Sequence, residues 1–236
     1  MKRFLFTLVC LSSLLFCATG CLFDNTLLYS DSGMCNVQSP TSVISDGGIV
    51  YNITENVSGA TLTPGERLFI ECDVLQRNEE NEDEYDIRLN TCTKVTVKTP
   101  IDASSADWDE VGDDALNVYQ GWIGNGYINT LLQFTSVTSS DTEHSFDLVF
   151  DDAQSNADTL YFDLKHNGYG ECFDNEDVDT SKLGLEGKYV SFKISDYADK
   201  VNSTFIIRVR WEWYAVEGNA YVRQREAYWT DFSCRR

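Results

Sequence analysis

The chain is poor in several residue types that enzymes and nucleic-acid binders rely on. Among 236 residues there are two histidines, His144 and His166, so a Ser/His/Asp relay has only two possible hinges. Lys and Arg number 18 against 38 Asp and Glu, a formal charge of −20. Such a surface repels phosphate backbones and anionic lipid headgroups, which argues against nucleic acid and leaves any membrane association to an anchor. No CxxC or Cys/His ligand spacing occurs, which argues against a structural zinc site. No stretch carries a helical period beyond two turns, and no internal repeat is visible. Disorder is excluded by a hydrophobic content of 42% with 13% aromatics.

What is present begins with MKRFLFTLVCLSSLLFCATGC. Lys2 and Arg3 precede an apolar run from Phe4 to Phe16, and Ala18-Thr19-Gly20 places small residues directly before Cys21. The run is too short to cross a ~30 Å hydrocarbon core as a helix, so it reads as a cleaved leader. Cleavage before Cys21 would leave its thiol to carry lipid. An ordinary secretory signal, with Cys21 joining the other cysteines, is the alternative. Residues 1–20 are thus expected to be a lipoprotein signal peptide and 21–40, with Asn25, Asp31, Ser32, Gly33, Ser39 and Pro40, a polar tether. Losing Lys2 and Arg3 but no acidic residue takes the formal charge from −20 to −22.

Strand and turn signals then alternate. Ser42–Ser45 leads through Asp46-Gly47-Gly48 into Ile49–Ile53, and Thr63-Pro64-Gly65-Glu66 turns into Arg67–Leu75. Asn78–Glu84 is a solvated hairpin loop, after which Tyr85 to Val97 returns. About five short strands over residues 41–97 suggest a small closed barrel. Residues 98–114, acidic and polar, make the expected linker. From 115 to 236 seven or so strands predict a β-sandwich, with Gly124-Asn125-Gly126 and Glu217-Gly218-Asn219 as turns. In the strand Phe205 to Tyr214, Trp211 and Trp213 share a face with Ile207 and Val209 and are assigned to its core. The fold class is therefore all-β.

Five cysteines follow Cys21. Cys72 and Cys92 sit symmetrically about residue 82 and are the candidate disulfide, with unlinked buried thiols as the alternative. Cys172 with Cys234 is a weaker pairing. The odd count leaves at least one thiol free or paired between molecules.

The run from Asp114 to Asn129, with Trp122-Ile123-Gly124 and Tyr127-Ile128-Asn129, resembles the entry to the sandwich of NigD-like lipoproteins. Leu164-Lys165-His166-Asn167-Gly168-Tyr169-Gly170-Glu171 is similar to that family's F-R-H-N-A-x-G-D segment. Asp46-Gly47-Gly48 and Pro64-Gly65-Glu66-Arg67 resemble its opening barrel. The resemblance implies a Bacteroidetes lipoprotein with an OB-like N-terminal barrel and an Ig-like C-terminal sandwich. It brings no settled activity, although the family name points to bacteriocin immunity. The tail after Tyr214 is longer than the family pattern.

Chemistry-bearing candidates are few. His144 lacks a nucleophile elbow around it, and His166 in His-Asn-Gly reads as a turn-bonding side chain. Glu79–Glu84 and Asp174–Asp179 are acidic, but no register of the second run makes an EF-hand, so both read as solvated loops. No carboxylate pair sits in a distinctive glycosidase motif. Trp108, Trp122 and Trp229 lie at strand or loop ends and could stack on a sugar or protein. The expected function is a non-catalytic, lipid-anchored envelope protein, without cofactor, that binds a protein or glycan partner. Bacteriocin immunity or envelope protection is the alternative, and a hydrolase with an unrecognised carboxylate pair is a third. The expected location is the outer membrane, with periplasmic and surface faces both open.

Overall fold

The computed structural model describes residues 27–218 and 220–235. The expected signal peptide and Cys21 lie outside them. Among the described residues no helix is long and apolar enough to cross a membrane.

The first five strands are β1 (Tyr29–Ser39), β2 (Ser42–Ser45), β3 (Val50–Asn56), β4 (Arg67–Arg77) and β5 (Glu84–Lys94). They close in the order β1-β2-β3-β5-β4, with β4 pairing back to β1, the closure of an OB-type barrel. Two glycines with positive φ, Gly48 at 85° and Gly65 at 88°, make the turns into β3 and β4. Inside, Val37, Val43, Leu68, Ile70, Val74, Ile87 and Leu89 form the core, each at most 4% exposed.

The expected tether is corrected here. Residues 29–39 are a barrel strand, paired from Tyr29 opposite Val74 to Asn36 opposite Arg67. Closure requires it, because β4 would otherwise present an open edge. Its serines, asparagine and aspartate disguise a strand that still buries Met34, Cys35 and Val37. The expected linker is likewise part of the sandwich. β6 (Thr96–Lys98) pairs in parallel with one sheet and β7 (Ile101–Asp102) with the other. Between them and the next strand lies α1 (Trp108–Val111), whose N-terminus is capped by the Asp107 carboxylate accepting from Asp109 N at 3.3 Å.

The sandwich strands are β8 (Asn117–Gly124), β9 (Tyr127–Val137), β10 (Ser145–Phe150), β11 (Thr159–Asn167), β12 (Leu183–Lys193), β13 (Thr204–Glu217) and β14 (Ala220–Arg235). One sheet runs β14-β13-β11-β10-β7, the other β6-β12-β9-β8. Asn125 (φ 47°) and Gly126 (φ 77°) form the two-residue turn between β8 and β9, where both positions need positive φ. Aromatic rings fill the space between the sheets, with Phe150, Phe162 and Tyr197 packed at centroid distances of 4.7–5.4 Å. Ile207, Val209, Trp211 and Trp213 are buried together, as the alternation of β13 requires.

Candidate functional site

Barrel and sandwich meet at one buried guanidinium. Arg67 opens β4 and points out of the barrel end with its side chain 1% exposed. Its Nη2 donates to both Asp46 oxygens at 2.7 and 2.8 Å and to Asn129 Oδ1 at 2.8 Å. Nε donates to Ser191 Oγ at 2.9 Å and Nη1 to Asn36 Oδ1 at 2.9 Å. Asn129 Nδ2 returns a hydrogen bond to Asp46 at 2.8 Å, and the Tyr127 ring lies 4.2 Å from the guanidinium carbon. Asp46 and Arg67 come from the two barrel turns, Tyr127 and Asn129 from β9, and Ser191 from β12. A planar fork with five donors suits this convergence, where a point charge would leave acceptors unmet. Gly124 admits the approach, since a Cβ there would fall 2.5 Å from the Asp46 carboxylate. Beside it Phe69 of the barrel stacks on Tyr189 of the sandwich at 4.5 Å.

A cavity of about 460 Å³ opens next to this joint, between β1 and the start of β3 on one side and Gln120 and Trp122 of β8 on the other. Its two carboxylates are both engaged: Asp31 accepts from Tyr51 Oη at 2.6 Å, and Asp46 is held by Arg67. Its thiols are Cys35 and Cys72. Burial, then the neighbouring acidic groups, pushes each up to about 12, so both stay protonated and weakly nucleophilic. Burial and the Asp31 hydrogen bond also raise Tyr51. The cavity therefore offers aromatic rings, hydrogen-bonding groups and two engaged carboxylates, and its lining holds no activated nucleophile paired with a base. Such a lining suits binding.

A second cluster lies beneath the turn that follows β11. His144 and His166, remote in sequence, are hydrogen-bonded ring to ring, Nδ1 to Nε2, at 2.9 Å. The Ala115 carbonyl, 3.0 Å from His166 Nδ1, can only accept, which assigns the proton to Nδ1 and makes Nε2 the acceptor from His144. Burial, reinforced by the adjacent His144, pushes His166 down to about 4. His144 Nε2 has no hydrogen-bond partner and sits 3.6 Å from a Glu171 oxygen. Burial favours protonation of Glu171, but hydrogen bonds from Ser140, Thr142 and the Val137 N–H outweigh it and hold the carboxyl at about 2.

Adjacent to this pair, Asp114, Cys172 and Asp174 bring their ligand atoms within 4.8 Å of one another. Each has a protein partner. Cys172 Sγ donates to Asp114 Oδ1 at 3.1 Å, the Gly168 N–H to Asp114 Oδ2 at 2.8 Å, and Tyr214 Oη to Asp174 at 3.1 Å. Arg225 adds an ion pair to Asp174 at 3.3 Å, which disfavours a further cation. Burial and the Asp114 bond push the Cys172 thiol up to about 12. Asn167 Nδ2 donates to the Asp109 and Glu110 carbonyls, fastening α1 to β11. The His-Asn-Gly-x-Gly-Glu run is thus a buried network that ties a turn, α1 and β10 together.

The sequence candidates separate in space. Trp122 lines the junction cavity. Trp108, 51% exposed, belongs to α1, and Trp229, 65% exposed, stands on the outer face of β14. Cys72 and Cys92 are not joined, and Cys172 and Cys234 are also free. The reason is register: Cys92 lies opposite Ile70, and a bulge after Glu71 sets Cys72 opposite Leu89. Asp179 caps a 3-10 turn through Ser181, and Asn78 closes the hairpin loop, so these polar loops organise their own backbones. Sequence reasoning missed both the Arg67 joint and the histidine pair. Their residues were visible as motif letters, but nothing local signals that they touch.

A family profile described as NigD-like C-terminal beta sandwich domain matches residues 99–223. No curated protein matches the sequence. Among solved structures, a protein of unknown function from Bacteroides vulgatus is similar at 20% identity and TM-score 0.63, covering 86% of this chain and 91% of that one. A NigD-like immunity protein from Bacteroides caccae shares 17% identity at TM-score 0.60, over 86% of this chain and 91% of its own. A Bacteroides fragilis protein inferred to be a lipoprotein shares 14% at TM-score 0.57, over 86% and 97%. At these identities the structures establish a common fold. The profile spans more than half of the chain, and on that basis the chain belongs to the NigD-like family.

Proposed function

We propose that this chain is a non-catalytic envelope module, held by lipid on Cys21, that binds a protein or glycan partner at the junction between barrel and sandwich. The observation that carries the reading is the junction cavity. It is framed by the Arg67 joint, presents Trp122, and holds carboxylates and thiols that are all engaged or protonated. The histidines, the other candidates for chemistry, are buried within the fold. The leader and lipid site are supported by the Lys2-Arg3, apolar and Ala18-Thr19-Gly20-Cys21 pattern and by the likeness to the B. fragilis protein. A placement in the outer membrane goes with them.

The test is cross-linking and capture in native cells, comparing the lipidated chain with Cys21→Ala and Trp122→Ala. The reading expects one specific envelope partner, lost in the first variant and weakened in the second. Identical fractionation of Cys21→Ala and no capture by any form would overturn it. A second reading, protection against a bacteriocin, draws support from the likeness to the B. caccae immunity protein. It expects deletion of the chain to sensitise cells to a toxin encoded nearby.

A further inference from the structure

The outer face of the five-stranded sheet carries a second, separate cavity. On β11 and β13 the inward residues Phe162, Val209 and Trp211 fill the core, so their neighbours Tyr161, Asp163, Arg208 and Arg210 point outward. β14 adds Asp231 directly opposite Arg208 and Trp229 directly opposite Arg210. Both lie beyond residue 223, where the family profile ends, in the tail that exceeds the family pattern. With Asp151 and Gln154 of the loop after β10, Tyr161, Asp163, Arg208, Arg210 and Trp229 line a cavity of about 290 Å³, and Asp231 holds Arg208 from beside it.

The charges on this face are arranged in pairs. Arg208 grips Asp231 through two bonds, Nε to Oδ1 at 2.7 Å and Nη2 to Oδ2 at 2.6 Å. Arg210 bridges Asp163 at 3.3 Å and Glu212 at 2.7 Å. Gln154 folds onto Asp151, its Nε2 donating to the carboxylate at 2.5 Å. Paired forks of this kind offer donors and acceptors side by side. The carboxylates outnumber the two arginines, so an anion is disfavoured, and the guanidinium groups disfavour a cation. Trp229, 65% exposed, supplies a broad apolar face at the rim, with the Tyr161 ring beneath Arg208 at 5.6 Å.

A pyranose matches this combination. Its C–H face stacks on an aromatic ring, and its hydroxyls both donate and accept in the ring plane. We infer that the outer face built by Trp229, Tyr161 and the Arg208–Asp231 and Arg210–Asp163 pairs is a binding site for a neutral saccharide. The inference rests on the binding-module reading and names a ligand class for a second surface of the same chain.

The test is titration of the full chain, in detergent, with cellohexaose, maltohexaose, xylohexaose and mannohexaose, read by calorimetry and tryptophan fluorescence. Polygalacturonate serves as the charged comparison. At least one neutral hexasaccharide is expected to bind while polygalacturonate does not. Trp229→Ala should weaken binding by about tenfold or more, the loss typical of a stacked anchor residue. Tyr161→Ala and Gln154→Ala provide further variants should Trp229→Ala fail to fold, and Trp108→Ala, outside both cavities, is the control. Absence of binding by all four sugars, or wild-type binding by Trp229→Ala, overturns the site. Binding lost in Trp122→Ala but kept in Trp229→Ala would overturn it while upholding the junction reading. A protein captured at the junction without any saccharide binding would do the same.

Discussion

Arg67 carries more structural consequence than any other side chain described. Truncating it to alanine would leave the half-buried Asp46 carboxylate with no counter-charge at the joint, and would strip Asn129 and Ser191 of a donor. Breaking a buried pair from one side costs about 3–5 kcal/mol, and Arg67→Lys should recover only part of it, because an ammonium cannot reach all the acceptors. Urea denaturation of the two variants measures both. The histidine–carboxylate cluster predicts a pH dependence of defined sign. His166 binds its proton near pH 4 in the fold and near 6.5 when unfolded, so stability falls as pH drops through that window. Glu171 is ionised down to about pH 2 in the fold against 4.5 unfolded, which extends the fall from 4.5 towards 2. The urea midpoint should be flat above pH 6.5 with respect to these groups, and His166→Gln should remove the slope between 6.5 and 4. Thiol titration with an aromatic disulfide gives a further check. Cys35, Cys72 and Cys172 should react slowly in the native protein, and all five cysteines from Cys35 to Cys234 should react on denaturation without reductant. A loop symmetric about residue 82 points to a Cys72–Cys92 pairing, but the bulge after Glu71 that sets the two out of register is invisible in residue spacing.

At the scale of elements, turn chemistry was the readable part. Asp46-Gly47-Gly48, Pro64-Gly65 and Asn125-Gly126 announce their turns because positive φ selects glycine or asparagine, and the strands between them follow. β1 was not readable as a strand. Only three of its residues are buried and the rest are exposed or half-buried and mostly polar, so its identity comes from the unpaired edge of β4 that it covers. β6 and β7 are too short to show any period; they exist because each lies beside a longer parallel strand. The segment that follows them depends on Gly112. It has φ 71°, and a Cβ there would fall 2.6 Å from Asn167 Cβ and 2.7 Å from the His166 carbonyl oxygen. Gly112→Ala should therefore destabilise by at least ~2 kcal/mol, combining strain at a glycine-only conformation with overpacking. The effect should be visible in thermal melts and in faster amide exchange across α1.

For the whole molecule, barrel and sandwich form a unit because the family-marking residues converge on their joint. Asp46, Arg67 and Asn129 come from three separate motifs, and the contacts that unite them with Ser191 span sequence separations of 62, 83 and 124 residues. That distance explains why the motifs could be recognised in the sequence while their purpose could not. The same joint frames the cavity assigned to partner binding, so its rigidity underlies the functional reading. The most direct test is equilibrium urea unfolding of the wild type and Arg67→Ala, followed by probes specific to each half: pulsed labelling of the barrel thiols Cys35 and Cys72, read by peptide mass, and tryptophan fluorescence of the sandwich, because the barrel lacks tryptophan. The wild type should unfold in one transition with coincident probes, and Arg67→Ala in two, with the probes separated. A single coincident transition in Arg67→Ala at the wild-type midpoint would contradict the joint and the site built on it.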